Sequence, residues 1–135
     1  MIKVIEQVGR EWNRLHPTGP RIGVADISTE YGGEFCWYVW EGLLPERQCK
    51  AYHQQGLEAD VRYVRSDGEE MVYEFSHTGY SQQLSQDLVN LFCAAGVKRI
   101  YATSLASLAE PPGCILDYSE DSLHRDQFRV QIWVP

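Results

Sequence analysis

A histidine and an aspartate seven residues apart have the residue types and the spacing of two metal ligands. They lie in the segment "YHQQGLEADV" (52–61), in which Gly56 separates His53 from Asp60. A neutral imidazole nitrogen and a carboxylate oxygen both bind zinc, and a glycine lets the chain reverse so that the two side chains face each other. Zinc needs at least three protein ligands. On these two residues alone, a loop histidine and a strand aspartate without metal remain the simpler interpretation.

The composition describes one domain that can build its own core. The chain has 135 residues, of which 44% are hydrophobic and 12% aromatic, so residues 1–135 are predicted to form a single domain. The formal net charge of −7 argues against a nucleic-acid partner, because such proteins present a basic surface to phosphates.

No apolar run approaches the roughly 20 residues that a helix needs to cross a bilayer, so no membrane span is expected. The N-terminal stretch "MIKVIEQVGREWNRL" lacks the continuous apolar region of a signal peptide. The sequence therefore predicts a cytoplasmic protein. A periplasmic or extracellular location would require removal of a leader or export by a phage or a secretion system.

Hydrophobic periodicity predicts an α+β fold with a small antiparallel sheet and helices packed on one side. Asp67-Gly68 is a hairpin signal between two strand-like runs, and Ser81 and Gly96 have the residue types that begin and end a helix. The predicted elements are a helix over 2–15, a strand over 21–28, a hairpin of 58–64 with 70–75, a helix from 81 to 96, a strand over 97–103, a long loop over 104–122 and a strand over 127–134.

An aromatic segment precedes His53. It contains "CWYVWEGLL" (36–44) and ends at Pro45, and its pattern fits either a strand or a flap over a cleft. Trp37, Tyr38 and Trp40 have side chains that stack on sugar rings, but they could equally pack in a core or at a partner interface.

Four cysteines occur without C-x-x-C spacing, which argues against a structural zinc site of the usual type. Cys36 and Cys49 bracket the aromatic segment and would be joined in an oxidising compartment but reduced in cytosol. Cys93 falls on a predicted helix face and Cys114 in a predicted loop, so these two are predicted not to be joined to each other.

The order of several segments resembles that of a known enzyme family. "RIGVADIS", a Gly-Gly turn and "YHQQGLEADVRYVRSDG" are followed by "YSQQLSQDLVNLFCAAGVKRIY" and "LHRDQFRVQI". This order resembles the penicillin-insensitive murein endopeptidases, which belong to the LAS group of zinc peptidases together with lysostaphin, the D-Ala-D-Ala carboxypeptidases and the hedgehog signalling domain. The resemblance covers most of the chain from residue 2 to residue 135. It implies the LAS-type α+β fold, with His53 and Asp60 in one cleft as the first two zinc ligands.

The chain departs from the family at the end of the site. The family has a late H-x-x-H-x-H run, in which the middle histidine assists catalysis and the last is the third zinc ligand. Here the run reads "HRDQFR" (124–129), so His124 and Gln127 occupy degenerate catalytic-helper positions and Arg129 occupies the ligand position. A guanidinium has no lone pair to give to zinc, and glutamine cannot act as a general base.

Further departures lie upstream. The segment of about residues 34–52 is an inserted aromatic loop relative to the family, and Lys50 stands where the family has another histidine.

Two interpretations of the altered site remain. His77 or His124 could supply the third ligand in place of Arg129. Alternatively, Arg129 occupies the place of the metal and pairs with Asp60, which would otherwise be an unpaired, partly buried carboxylate. The second interpretation is favoured, because alternation along residues 127–134 places Phe128 and Val130 toward the core and therefore Gln127 and Arg129 toward the cleft.

Two functional hypotheses follow. The first is a peptidase-like domain that has lost zinc hydrolase activity and serves as a binding or structural module for a peptidoglycan peptide or a protein partner. The second is an active zinc-dependent peptidoglycan endopeptidase or carboxypeptidase with an unusual third ligand, in which zinc-bound water attacks an amide. Weak or absent zinc binding is the expectation from the incomplete ligand set.

Overall fold

The computed structural model of the chain describes residues 1–27, 35–40, 45–50, 57–67 and 79–132. For residues 26–27, 35–40 and 45–50 it describes the course of the backbone.

The elements within these residues form a five-stranded sheet, a separate two-stranded sheet and two α-helices. Neighbouring strands of the larger sheet lie in the order β1-β4-β7-β5-β6. The elements are α1 (Ile2–Leu15), β1 (Val24–Ile27), β2 (Phe35–Trp40), β3 (Pro45–Lys50), β4 (Glu58–Arg62), α2 (Gln82–Ala94), β5 (Arg99–Tyr101), β6 (Ile115–Asp117) and β7 (Gln127–Gln131), with short 3₁₀ helices at Ser104–Ala106 and Asp121–Leu123.

The predicted α+β class is confirmed, but the larger sheet is mixed rather than antiparallel. β5 and β6 run parallel, and the other neighbouring pairs are antiparallel. The predicted long loop of 104–122 contains β6, because the chain leaves β5, turns through a 3₁₀ helix and returns alongside β5. The sequence predicted a loop here because turn residues such as the "EPPG" stretch precede β6. A strand of three residues is also too short to show a hydrophobic period.

Helix α1 forms where the apolar spacing predicts it. Val8 and Trp12 lie one turn apart and are each only 1% exposed, as expected for the core-facing stripe of an amphipathic helix. The Trp12 indole N–H donates to the backbone oxygen of Pro20 at 2.7 Å. This bond holds the segment after the helix against α1. Neither described helix is long and apolar enough to span a membrane.

Helix α2 has the predicted ends. The Ser81 hydroxyl accepts a hydrogen bond from the backbone N–H of Leu84 at 3.2 Å, which satisfies one of the free donors of the first turn. The chain turns away at Gly96, whose φ of +102° favours glycine. Leu88 and Phe92 are fully buried, as their helical spacing predicts.

One core joins both helices to one face of the larger sheet. Alternate residues of β4, β5 and β7 share that face because they lie opposite one another in register: Ala59 with Val130, Val61 with Phe128, and Ile100 with Val130. All five are fully buried and belong to the same cluster as the apolar residues of α1 and α2.

The predicted hairpin of residues 58–64 with 70–75 is wrong for residues 59–61. β4 pairs with β1 along one edge and with β7 along the other, so neither edge is open to a third strand over 59–61. Residues 68–78, including Gly68, lie outside the described residues.

The aromatic segment of residues 34–52, predicted as an inserted loop with a strand or a flap as alternatives, contains the strands β2 and β3. They pair antiparallel in a two-stranded sheet. Trp37, Tyr38 and Trp40 lie on β2. The register places the Cα of Cys36 directly opposite that of Cys49. The two cysteines are therefore neighbours on paired strands, and not only the two ends of a loop.

A disulfide joins Cys93 to Cys114, and the prediction that these residues are not joined is wrong. Cys93 lies in the last turn of α2, and Cys114 immediately precedes β6. The backbone N–H of Ile115 donates to the carbonyl of Lys98 at 2.9 Å, which places the start of β6 beside the chain leaving α2. The sequence could not reveal this proximity because it depends on the unrecognised strand β6.

Replacing Gly9 with alanine should raise the free energy of unfolding by about 0.5–1 kcal/mol. Gly9 lies inside α1, does not have positive φ, and a Cβ built there meets nothing within 4 Å. The matched control is Gly96→Ala, which should lower stability because φ at Gly96 is +102°. Urea denaturation measures both. A loss of stability in Gly9→Ala would contradict this account of α1.

Breaking the Cys93–Cys114 disulfide should lower the free energy of unfolding by about 3 kcal/mol, because the link closes a loop across a sequence separation of 21 residues. Denaturation with and without a reductant measures the loss, and peptide mass mapping without reduction identifies the link. The variant Cys93→Ala, Cys114→Ala lacks this link, so any effect of the reductant on it comes from the other two cysteines. A reductant that still changes the stability of this variant by the same amount would show that another link is responsible.

Candidate functional site

The second face of the larger sheet carries polar residues where the first carries the core. Along β7, Gln127, Arg129 and Gln131 alternate with the buried Phe128 and Val130. On β4, Asp60 lies directly opposite Arg129 in register. Because opposite residues of an antiparallel pair share a face, these polar side chains meet on the side of the sheet away from the core.

Asp60 is buried and its two carboxylate oxygens accept hydrogen bonds from β7. The Arg129 Nε–H donates to Oδ1 at 3.1 Å, and the Gln127 amide donates to Oδ2 at 3.0 Å. The side chains of Asp60 and Arg129 are only 3% and 11% exposed. The predicted contact between Asp60 and Arg129 is therefore present, and Gln127 contributes a second donor.

Glu120 extends this contact into a chain of polar and charged groups. Its Oε2 lies 3.5 Å from the Arg129 Nη1 and 3.2 Å from the His124 Nε2. Glu120 thus links His124 to Arg129, and Arg129 links Glu120 to Asp60. Sequence reasoning missed Glu120, which lies in a turn; its position four residues before a histidine was the only available signal.

His124 is almost completely buried, with 1% exposure. Its ring stacks on that of Tyr101, with 6.0 Å between the ring centroids. Its Nε2 faces Glu120, whereas its Nδ1 is buried and has no hydrogen-bond partner among the described residues. An unpaired buried ring nitrogen is uncommon, because burial of a polar atom without a partner costs free energy.

Tyr63 fixes the backbone around His124. Its hydroxyl donates to the carbonyl of His124 at 3.1 Å and accepts from the N–H of Thr103 at 3.0 Å. Burial raises the pKa of the Tyr63 hydroxyl well above its ordinary value, so it remains a donor through the physiological range.

Asp121 ties the two 3₁₀ helices together on the other side of His124. It accepts hydrogen bonds from the hydroxyls of Ser104 and Thr103, and these bonds lower the pKa of the Asp121 carboxyl. The turn that carries Glu120 and His124 is thereby held to the end of β5.

The predicted site residues are brought together only in part. Asp60, Gln127 and Arg129 are in direct contact, and His124 reaches them through Glu120. His53 and His77 lie outside the described residues. Trp37, Tyr38 and Trp40 lie on β2, of which the backbone alone is described.

A metal site does not emerge from the residues that the structure describes. No group of three or more histidine, cysteine, aspartate or glutamate side chains among them is placed to hold a metal ion. His124 contacts Glu120, and Asp60 contacts Arg129 and Gln127. What the arrangement does chemically is to balance a buried carboxylate with a guanidinium and an amide.

Comparisons of the chain with protein-family models, with curated proteins and with solved structures find no match. The resemblance to the murein endopeptidases therefore rests on the spacing of His53 and Asp60 and on the order of the flanking segments.

Replacing Arg129 with methionine should destabilise the fold by about 3 kcal/mol or more, because it leaves the buried Asp60 carboxylate without its cation. The double variant Asp60→Asn, Arg129→Met should be less destabilised than the single one, since it removes both charges. The control Arg125→Met changes an exposed arginine and should stay within about 0.5 kcal/mol of the wild type. Urea denaturation of the wild type and the three variants measures these values. Equal losses of unfolding free energy in the single and double variants would contradict the conclusion that Arg129 neutralises the buried carboxylate of Asp60.

Proposed function

We propose that the chain is a murein-endopeptidase-like domain without zinc hydrolase activity that serves as a binding module for a peptidoglycan peptide or a protein partner. The observation that carries this proposal is the double engagement of Asp60, the second of the two predicted zinc ligands, by Arg129 and Gln127. The LAS-type fold and the pairing of His53 with Asp60 in one cleft are parts of the same proposal.

The contacts of Asp60 oppose zinc binding for an electrostatic and a geometric reason. A zinc ion next to Asp60 would approach the positive charge of Arg129, which already neutralises the carboxylate from 3.1 Å. In a buried site the repulsion between two cations is weakly screened. The ion would also have to displace a donor from the carboxylate, and neither the guanidinium nor the Gln127 amide can replace the two family histidines.

A binding role would use the aromatic segment that precedes His53. The aromatic strand β2 carries Trp37, Tyr38 and Trp40, and aromatic side chains at an interface supply large contact areas at low entropic cost. We assign the recognition of the cell-wall peptide or protein partner to this segment.

The Cys93–Cys114 disulfide supports a periplasmic or extracellular location over a cytoplasmic one, because disulfides persist in oxidising compartments. Such a location also suits a domain that meets peptidoglycan.

The alternative function, an active zinc peptidase with an unusual third ligand, is favoured by one observation. The buried Nδ1 of His124 has no hydrogen-bond partner within the part of the chain that the structure describes, and a neutral imidazole nitrogen is a zinc ligand. His124 would have to be brought toward His53 and Asp60 past Arg129, or His77 would have to serve instead.

Zinc content distinguishes the two functions. We expect the protein, purified without chelator and dialysed, to hold far less than one zinc per chain and to release no peptides from peptidoglycan, while it still sediments with peptidoglycan or retains a protein partner. The variant Gln127→His, Arg129→His should bind zinc at least about ten-fold more tightly than the wild type, because it restores two ligand-type side chains beside Asp60.

The control variant Gln83→His, Arg125→His adds two histidines at exposed positions and should leave zinc affinity unchanged. Near-stoichiometric zinc in the wild-type protein, lost on replacement of His124 or His77 by alanine, would establish the alternative function. Failure of the wild type to bind either peptidoglycan or any protein would refute the binding role.

A further inference from the structure

A second candidate site lies away from Asp60, between α1 and the segment that follows it. The cleft there has a volume of about 520 Å³, which falls within the range of small-molecule pockets. It is lined by Ile5, Gly9, Asn13, His16, Pro17, Gly19, Arg21, Ile22 and Val24.

Both walls of the cleft are fixed by contacts that do not involve its lining. On one wall, Ile5, Gly9 and Asn13 recur every four residues and so form one stripe of α1. The helix itself is anchored in the core by Val8 and Trp12. The other wall is held by the bond from the Trp12 indole to the Pro20 carbonyl and by that from the Arg62 N–H to the Gly23 carbonyl, at 2.7 and 2.8 Å. The cleft is therefore preformed.

Gly9 gives the cleft its depth at a cost to the helix. Glycine inside a helix is less stable than alanine, and neither backbone conformation nor packing requires it here, because φ is not positive and a Cβ would meet no atom within 4 Å. A glycine that the fold does not need, in the middle of the lining stripe, is explained by the space it leaves.

The polar groups at the cleft favour one negative charge. Arg21 is exposed, and the side chains of Arg21 and Asn13 make no hydrogen bond or ion pair within the part of the chain that the structure describes. His16 is already placed 3.7 Å from Asp87. Among the described residues that line the cleft there is no aspartate or glutamate, although the chain as a whole carries a net charge of −7.

We infer that this cleft binds a small organic monocarboxylate with an apolar body. The carboxylate pairs with Arg21 and accepts a hydrogen bond from the Asn13 amide, while the apolar part lies over Gly9 between Ile5 and Ile22. A single guanidinium balances a single negative charge, which favours a carboxylate over a phosphate dianion. This site is independent of the Asp60 site and of the function proposed for it.

The inference is tested by titrating the full chain with hexanoate and phenylacetate, and with the corresponding neutral amides, while ¹H–¹⁵N spectra are recorded. We expect saturable shifts at the backbone amides around Gly9, Asn13 and Arg21, with a Kd of about millimolar or tighter for the acids. The neutral amides should bind the wild type at least about ten-fold more weakly than the acids do. The acids should bind the variant Arg21→Gln at least about ten-fold more weakly than the wild type. In both cases a charged hydrogen bond is lost.

Gly9→Phe should abolish binding of all four probes by filling the cleft. The matched controls are Arg10→Gln and Gln7→Phe, which make the same changes at exposed positions of α1 outside the cleft and should retain wild-type affinity. Circular dichroism and the spectra themselves report whether each variant is folded. Absence of saturable shifts at the cleft, equal binding of acids and amides, or unchanged affinity in Arg21→Gln would each overturn the inference, and the last does not depend on how Gly9→Phe folds.

Discussion

The ion pair between Asp60 and Arg129 is the constraint on which the polar half of this domain depends. Its existence follows from the register of β4 against β7, which places the two residues opposite each other. The same register places Ala59 against Val130 and Val61 against Phe128 on the core face. A shift by one residue would exchange the two faces, burying the charged residues under the helices and exposing the apolar ones. Core packing and charge pairing therefore select the same alignment.

The region after β5 is held to this framework by several links of different kinds. Glu120 and His124 reach Arg129 through side chains, and Tyr63 reaches the backbone of His124. The disulfide from Cys93 closes the same region from the helical side. The same region also contributes Ala106, Leu108 and Cys114 to the core. These links explain how a segment rich in turns maintains a buried histidine.

The two candidate sites use opposite electrostatic arrangements. At Asp60 the charges are paired and buried. At the α1 cleft, Arg21 remains without a counter-charge among the described residues, and the walls are set by Trp12 and by the β1–β4 pairing. The first arrangement stabilises the fold, whereas the second leaves interaction energy available for a ligand.

Local patterns were sufficient for the elements whose signals lie within a few turns or residues. The helical period of Val8 and Trp12 predicted α1, the capping chemistry of Ser81 predicted the start of α2, and alternation along 127–134 predicted which side of β7 faces the core. That alternation, together with the charge of Asp60, also predicted the contact between Asp60 and Arg129, because an arginine on the polar face is the simplest partner for a buried carboxylate.

Only the tertiary structure decided the features that depend on which strands become neighbours. Asp67-Gly68 suggested a hairpin, but β1 and β7 take both edges of β4. The parallel pairing of β6 with β5 brings Cys114 to Cys93 and Glu120 to Arg129. Which strands pair depends on the total burial and hydrogen bonding of the folded chain. These interactions join segments that are distant in sequence, so a local stretch of sequence cannot predict them.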